Sequence, residues 1–149
     1  MIEPIDIAKA AVEKLRTDIR KIMVDRNKNA TNSTSNGIAV IPSQGQGFGQ
    51  ALLEADSTWK WVGNGRAPGR MPPIAPIQAW INARGLKISA WGVARKIGEQ
   101  GSSDFRKKRR NVFLQGIEEW EKSTLPEAEG QMAQTMETKV YAVVDQALK

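Results

Sequence analysis

Apolar residues recur at helical spacing at both ends of the chain and at a shorter, mixed spacing between. Ile5, Ala8, Val12, Leu15, Ile19 and Ile22 are three or four apart, which predicts an amphipathic N-terminal helix with one narrow buried stripe. Lys9, Glu13, Arg16 and Arg20 fall on its solvent side, and Asp6 is a candidate N-cap. Gly37 to Ile41 reads as a strand that Pro42 stops, a short element covers Ala51 to Ala55, and Thr58 to Val62 reads as another strand. In that strand Trp59 and Trp61 share a face. The turn-rich stretch 63–73 leads into a helix over Ile74–Arg84 with Ile77, Trp80 and Ile81 inside, ended by Gly85. Ser89 caps a helix over Ala90–Gln100 that buries Ala90, Val93, Ala94 and Ile97, and Gly101 ends it. Asp104 is placed to cap a further helix burying Phe113, Ile117 and Trp120. The last helix, 126–149, starts near Pro126 and carries Met132, Met136, Val140, Val143 and Ala147.

These elements describe an α+β chain with three or so short strands. A long helix opens the chain, short helices follow the 63–73 loop, and a long helix closes it. The length of 149 residues fits one domain, residues 1–149. Within it, residues 27–37 (NKNATNSTSNG) and the glycine-rich 43–50 read as flexible loops. There is no internal repeat. The N-terminus, Met1-Ile2-Glu3-Pro4, has no apolar run of the signal-peptide kind, and no stretch reaches the length of a membrane span. The expectation is a soluble protein with no membrane partner, made in a cytoplasm.

Charge sharpens the picture. Residues 1–59 hold seven basic and seven acidic side chains, a net of zero. Residues 60–110 hold twelve basic and two acidic, a net of +10, and residues 111–149 hold three basic and seven acidic, a net of −4. A basic middle and an acidic end are an asymmetry that partners can read. The candidate basic face is Arg95 and Lys96 with the run Arg106, Lys107, Lys108, Arg109 and Arg110. On a helix such a run would spread around the whole circumference. The candidate acidic face is Glu118, Glu119 and Glu121.

Candidate chemistry is sparse. The chain has no cysteine and no histidine, which removes thiol nucleophiles, Cys/His zinc sites and the usual general base at neutral pH. Absent cysteine also fits a reducing compartment. Gly45, Gly47 and Gly49 resemble a dinucleotide fingerprint only in part. The third glycine is one position early, and Arg66 and Arg70 stand about where the ribose-binding acid belongs. No carboxylate pair stands out. Catalytic residues, metal ligands and cofactors are therefore expected to be absent and the protein not to be an enzyme. The five tryptophans, Trp59, Trp61, Trp80, Trp91 and Trp120, fit either base stacking beside the cations or core and interface packing. Trp80 and Trp120 share helix faces with Ile77 and Ile117 and read as core. Trp91 stays open.

Residues 58–101 carry a resemblance. Trp59-Lys60-Trp61-Val62-Gly63-Asn64-Gly65-Arg66-Ala67-Pro68-Gly69-Arg70-Met71-Pro72-Pro73 is followed by Ile77-Gln78-Ala79-Trp80-Ile81-Asn82-Ala83-Arg84-Gly85-Leu86. Then come Ala90-Trp91-Gly92-Val93-Ala94-Arg95-Lys96-Ile97, Gly101 and Phe105. The pattern resembles minor structural proteins of tailed phages described as tail-completion, neck or head–tail joining proteins. There a strand precedes an Arg-x-Pro-Gly-x-x-Pro-Pro loop, a helix with a Trp-Ile pair, and an Ala-rich helix with Arg-Lys-Ile. The Asn/Ser/Thr-rich stretch, the glycine-rich loop and the long last helix depart from it. The resemblance implies a small α+β fold with the long N-terminal helix packed on a small antiparallel sheet, and a virion structural protein of the neck region, a homo-oligomeric ring (twelve-fold in preference to six-fold). It also implies the portal and other neck or tail proteins as neighbours, and contact with DNA in the channel. On this reading Arg66, Pro68, Gly69, Arg70, Pro72 and Pro73 form a partner-binding loop, stiffened by its prolines. The runner-up reading is a basic, non-sequence-specific nucleic-acid-binding protein that uses residues 60–110.

Overall fold

A computed structural model describes residues 2–28, 33–45, 48–57 and 59–148. Seven helices and two strands occur among them: α1 (Pro4–Asp25), α2 (Ser33–Asn36), β1 (Ala39–Gly45), β2 (Phe48–Glu54), α3 (Trp59–Asn64), α4 (Ile74–Ala83), α5 (Ala90–Gln100), α6 (Ser103–Arg106) and α7 (Val112–Ala147). The class is α+β and mostly helical, with a long helix at each end and a small antiparallel sheet. The chain groups into two compact units: residues 1–18, 39–54 and 116–149, and residues 19–38 and 55–115. The reading from sequence takes these as one domain.

In the first unit α1 starts at Pro4, a residue whose fixed φ suits a first helical position. Asp6 therefore lies within the first turn, where the helix dipole favours an acid, and is not the cap. Burial along α1 follows Ile7, Ala11, Leu15, Ile19, Ile22 and Met23, whereas Ile5, Ala8 and Val12 are only half-buried. The predicted stripe is thus right in its second half and displaced in its first. The displacement has a local cause. Ala11 is small and lets the Trp120 indole approach closely enough to donate to the Ala11 carbonyl at 2.7 Å. Ile7, Ala11 and Ala128 form the cluster there, with Trp120 and Met132 packed against it.

α7 runs unbroken from Val112 to Ala147 through Pro126. The boundary expected near Pro126 is absent. A proline inside a helix removes one hydrogen bond, and packing of the flanking turns (Thr124 and Ala128 are both buried) offsets that loss. The start of α7 is fixed by Asn111, whose Oδ1 accepts from the Phe113 and Leu114 amides at 2.8 and 3.3 Å.

The two strands form a hairpin with Ala39 opposite Glu54 and Gly45 opposite Phe48. Pro42 does not stop β1. In a two-stranded sheet each strand has a free edge, and a residue without an N–H is tolerated there. Residues 43–45 and 48–50, expected to be loop, are ladder residues instead. The expected loop 27–37 falls partly outside the described residues, and its end forms the single turn α2.

In the second unit Ile19, Met23, Ile38, Ile81, Ala94 and Val112 are buried. Arg20, assigned to the solvent face, is half-buried. It donates to the Ser35 carbonyl at 2.7 Å and to the Ile38 carbonyl at 3.3 Å, which ties the segment after α2 to α1. The expected strand at 58–62 is the helix α3; Thr58 itself lies outside the described residues. Trp59 and Trp61 therefore do not share a strand face. Trp59 meets Phe113 edge-on with ring centroids 5.3 Å apart, and Trp61 lies beside cations. The short helix is held from outside. The Asn111 Nδ2 donates to Asn64 Oδ1 at 2.7 Å, and the Lys28 ammonium donates to the Val62 carbonyl at 2.5 Å.

Candidate interaction surface

The loop Gly65–Pro73 is built onto the α5–α6 corner. The Ser102 amide donates to the Arg66 carbonyl at 2.8 Å, and the Ser102 hydroxyl accepts from the Arg66 amide at 2.9 Å. The Gly69 amide donates to the Gly98 carbonyl at 2.7 Å. Pro72 is buried and Pro73 is the residue before α4, with φ −57°. The Arg66 guanidinium reaches the Arg70 carbonyl at 3.1 Å and lies over the Trp61 ring, 5.1 Å from its centroid. Of the predicted loop set, Arg66, Pro72 and the Gly69 amide therefore hold the loop, while Pro68, Arg70 and Pro73 are its exposed surface.

Gly101 is the keystone of this corner. Its φ of 79° and ψ of 171° lie in a region that side chains strongly disfavour, and an added Cβ would stand 2.8 Å from the Arg66 carbonyl oxygen. Gly101→Ala should lower stability by about 2–3 kcal/mol in chemical denaturation, from backbone strain plus the clash. A change under about 0.5 kcal/mol would show that the loop does not rest on this corner.

The helix ends here follow the sequence. Gly85 has φ 62° after α4, and the Ser89 hydroxyl accepts from the Gly92 amide at 3.3 Å. Asp104 does not cap a helix. Ser102 caps α6, and Asp104 sits in its first turn paired with Lys28 at 2.6 Å and Arg109 at 3.4 Å.

The predicted cations are all exposed, but they do not ring a helix. Only Arg106 belongs to α6; Lys107 and Lys108 turn away from it, with φ of 48° at Lys108, and Arg109 and Arg110 are irregular. Arg95 bonds to Glu99 at 2.7 Å, and that hydrogen bond and charge raise its pKa above the ordinary arginine value. Lys96 is exposed. The predicted acids lie on α7, with Glu119 and Glu121 exposed and Glu118 half-buried.

The three-dimensional grouping makes the charge asymmetry larger than the linear one. Residues 1–18, 39–54 and 116–149 carry six basic and twelve acidic side chains, a net of −6. Residues 19–38 and 55–115 carry sixteen basic and four acidic, a net of +12.

No protein-family model, curated protein or solved structure matches the chain. Among the described residues no group of three or more Cys, His, Asp or Glu side chains is placed to hold a metal, and no helix is long and apolar enough to cross a membrane. The strand that the tailed-phage pattern would place before its loop is the helix α3 here, so the resemblance is confined to the loop and to the two helices after it.

A second cluster was not singled out from the sequence. Arg26, Asn27, Lys28, Trp61, Val62, Trp80, Arg84, Ser103, Asp104 and Arg109 line one cleft of about 460 Å³ in the basic unit. Part of it was readable, since Arg84 stands four residues after Trp80 on one helix face and its guanidinium lies 5.2 Å from that ring. Arg26 and Lys28 come from the end of α1, some thirty or more residues away in sequence, and no local pattern announces them.

Proposed function

We propose that the chain is a structural subunit that works as a homo-oligomer, seated as a ring at the head–tail junction of a tailed-phage virion. The station comes from the resemblance of its loop and helices to neck and tail-completion proteins. Assembly is supported by one observation above others, the apolar face that the end of α7 leaves uncovered. Met132 on that face packs onto α1. Glu3, just before α1, pairs with Lys139 at 2.5 Å, so α1 begins beside that turn. Past it, Val140, Tyr141, Val143 and Val144 are exposed, as is Met136 before it. The stripe that is buried against α1 thus continues for two more turns with no helix to meet among the described residues. The hairpin of the same unit adds the exposed cross-strand pair Ile41 and Leu52.

An exposed apolar helix stripe of this kind marks an interface. A second copy of the chain is the occupant that fits, because the three-and-four spacing is complementary to a helix of the same pattern. The opposite charges of the two units favour head-to-tail contacts, in which one subunit's basic surface meets the next one's acidic surface. Arg106–Arg110, or Arg95 and Lys96, against the neighbour's Glu118, Glu119 and Glu121 is the pairing the positions suggest. In particles purified from an infected culture the chain should be present at a constant ratio to the major capsid protein, and antibody should label the head–tail junction. Particles that lack the chain would remove the virion reading.

A further inference from the structure

We infer that the cleft of the basic unit binds single-stranded nucleic acid, taking a phosphodiester on its arginines and a base on Trp61. The inference goes beyond assembly; it holds for a monomer, and in a ring it goes with the Arg95 and Lys96 pairing, which leaves Arg109 to the cleft. Its first support is charge. Four cations line the cleft, Arg26, Lys28, Arg84 and Arg109, against one carboxylate, Asp104.

The four are not equivalent. Lys28 is spent on structure, paired with Asp104 at 2.6 Å and bonded to the Val62 carbonyl at 2.5 Å. Arg26 holds the Arg110 carbonyl and the Gln115 amide oxygen, and Arg84 holds the Asn27 carbonyl. Those partners position the two guanidiniums without neutralising them. Arg109 is half-exposed, and its pairing with Asp104 at 3.4 Å is the loosest of the set, so a phosphate can take it over. Arg109 can meet the two non-bridging oxygens of a phosphodiester with parallel N–H donors, while Arg26 and Arg84 add fixed positive charge around the same opening.

The second support is the aromatic wall. Trp80 is half-buried beneath Arg84, and Trp61 is 41% exposed at the cleft. Lys60 Nζ stands 4.6 Å from the Trp61 ring centroid and the Arg66 guanidinium 5.1 Å. A base stacked on Trp61 replaces the flexible Lys60, whose charge then lies beside the phosphate. Stacking on indole is indifferent to base identity and requires an unpaired base, which selects single strands over duplex. An acidic peptide would satisfy the cations but would leave Trp61 idle.

The test uses the full-length chain and a fluorescein-labelled oligothymidylate, with binding read by anisotropy over a salt series. Binding should weaken as salt rises, and Trp61→Ala should weaken it about 5- to 100-fold. Trp61→Phe should recover most of that loss. Arg109→Gln should lower the slope of log affinity against log salt by about 0.7, the contribution of one phosphate contact on a single strand. Asp104→Asn should tighten binding, because it removes the one carboxylate that competes for Arg109. The double change Lys21→Gln with Lys87→Gln, two exposed cations outside the cleft, should stay within about twofold of the unaltered protein. Circular dichroism of each variant confirms that it is folded. No binding at low salt overturns the inference. So does a Trp61→Ala variant that binds normally, a control pair that loses as much as Trp61→Ala, or equal affinity for duplex DNA. A poly-glutamate peptide that displaces the oligonucleotide at equal charge would assign the cleft to acidic protein instead.

Discussion

Changing Val140 and Val143 together to glutamate should convert an assembling protein into a monomer. Both side chains are exposed, at 61% and 65%, so the substitution meets no packing within the subunit and the separate chain should melt as before. In the proposed oligomer the same positions would lie in a helix–helix contact. There each glutamate would be buried opposite an apolar neighbour, and burying an unpaired carboxylate costs several kcal/mol. Two such sites at every interface, repeated through a closed assembly, are enough to move the equilibrium by orders of magnitude. The acidic unit already stands at −6, so two further charges also add repulsion between copies. Val140→Ala with Val143→Ala should have a much smaller effect, because it removes contact area without burying charge. Sedimentation velocity checks both. A doubly substituted protein that assembles as well as the unaltered one would place the interface elsewhere.

The second large effect concerns the core of the basic unit. Ile81 is 2% exposed, and Ile81→Ala should cost about 2–5 kcal/mol. At about 2–4 °C per kcal/mol that is roughly 5–20 °C in Tm. Trp80→Ala should cost less than Ile81→Ala, despite removing more atoms, because Trp80 is only half-buried and the Arg84 stem covers one of its faces. The sequence pattern places Ile77, Trp80 and Ile81 together on the inner face of this helix. The structure ranks them, with Ile81 inside and the other two at its margin. Thermal unfolding followed by circular dichroism gives the order directly, and a larger loss for Trp80→Ala would reverse the assignment.

What the sequence made legible was local chemistry. The cap at Ser89 and the glycine ends at Gly85 and Gly101 depend on one residue's side chain or φ, and each lies where the pattern predicts. What it hid was decided at a distance. Trp59-Lys60-Trp61-Val62 alternates and is rich in strand-favouring residues, yet it is helical, held by Asn111 from beyond α6 and by Lys28 from the end of α1. Pro126 has the look of a helix start because that is where proline is best tolerated, but the turns packed around it carry the helix through. Arg20 has the spacing of a solvent residue and serves two carbonyls instead. The loop was legible as a loop, though its division into anchors (Arg66, Pro72 and the Gly69 amide) and exposed surface (Pro68, Arg70, Pro73) was not. The charge asymmetry shows the same limit. Linear segments reach +10 and −4, and the fold raises this to +12 and −6 by gathering the N-terminal helix with the acidic C-terminal one and its last turns with the basic middle.

Assembly is the claim on which the proposed function stands, and the mass of the purified full-length chain in solution tests it most directly. Native mass spectrometry or light scattering across a concentration series should show one discrete oligomer at a fixed integer multiple of 16.4 kDa, lost in the Val140→Glu, Val143→Glu protein. A species that stays at 16.4 kDa at every concentration, alone and with virion neck components added, would contradict the account.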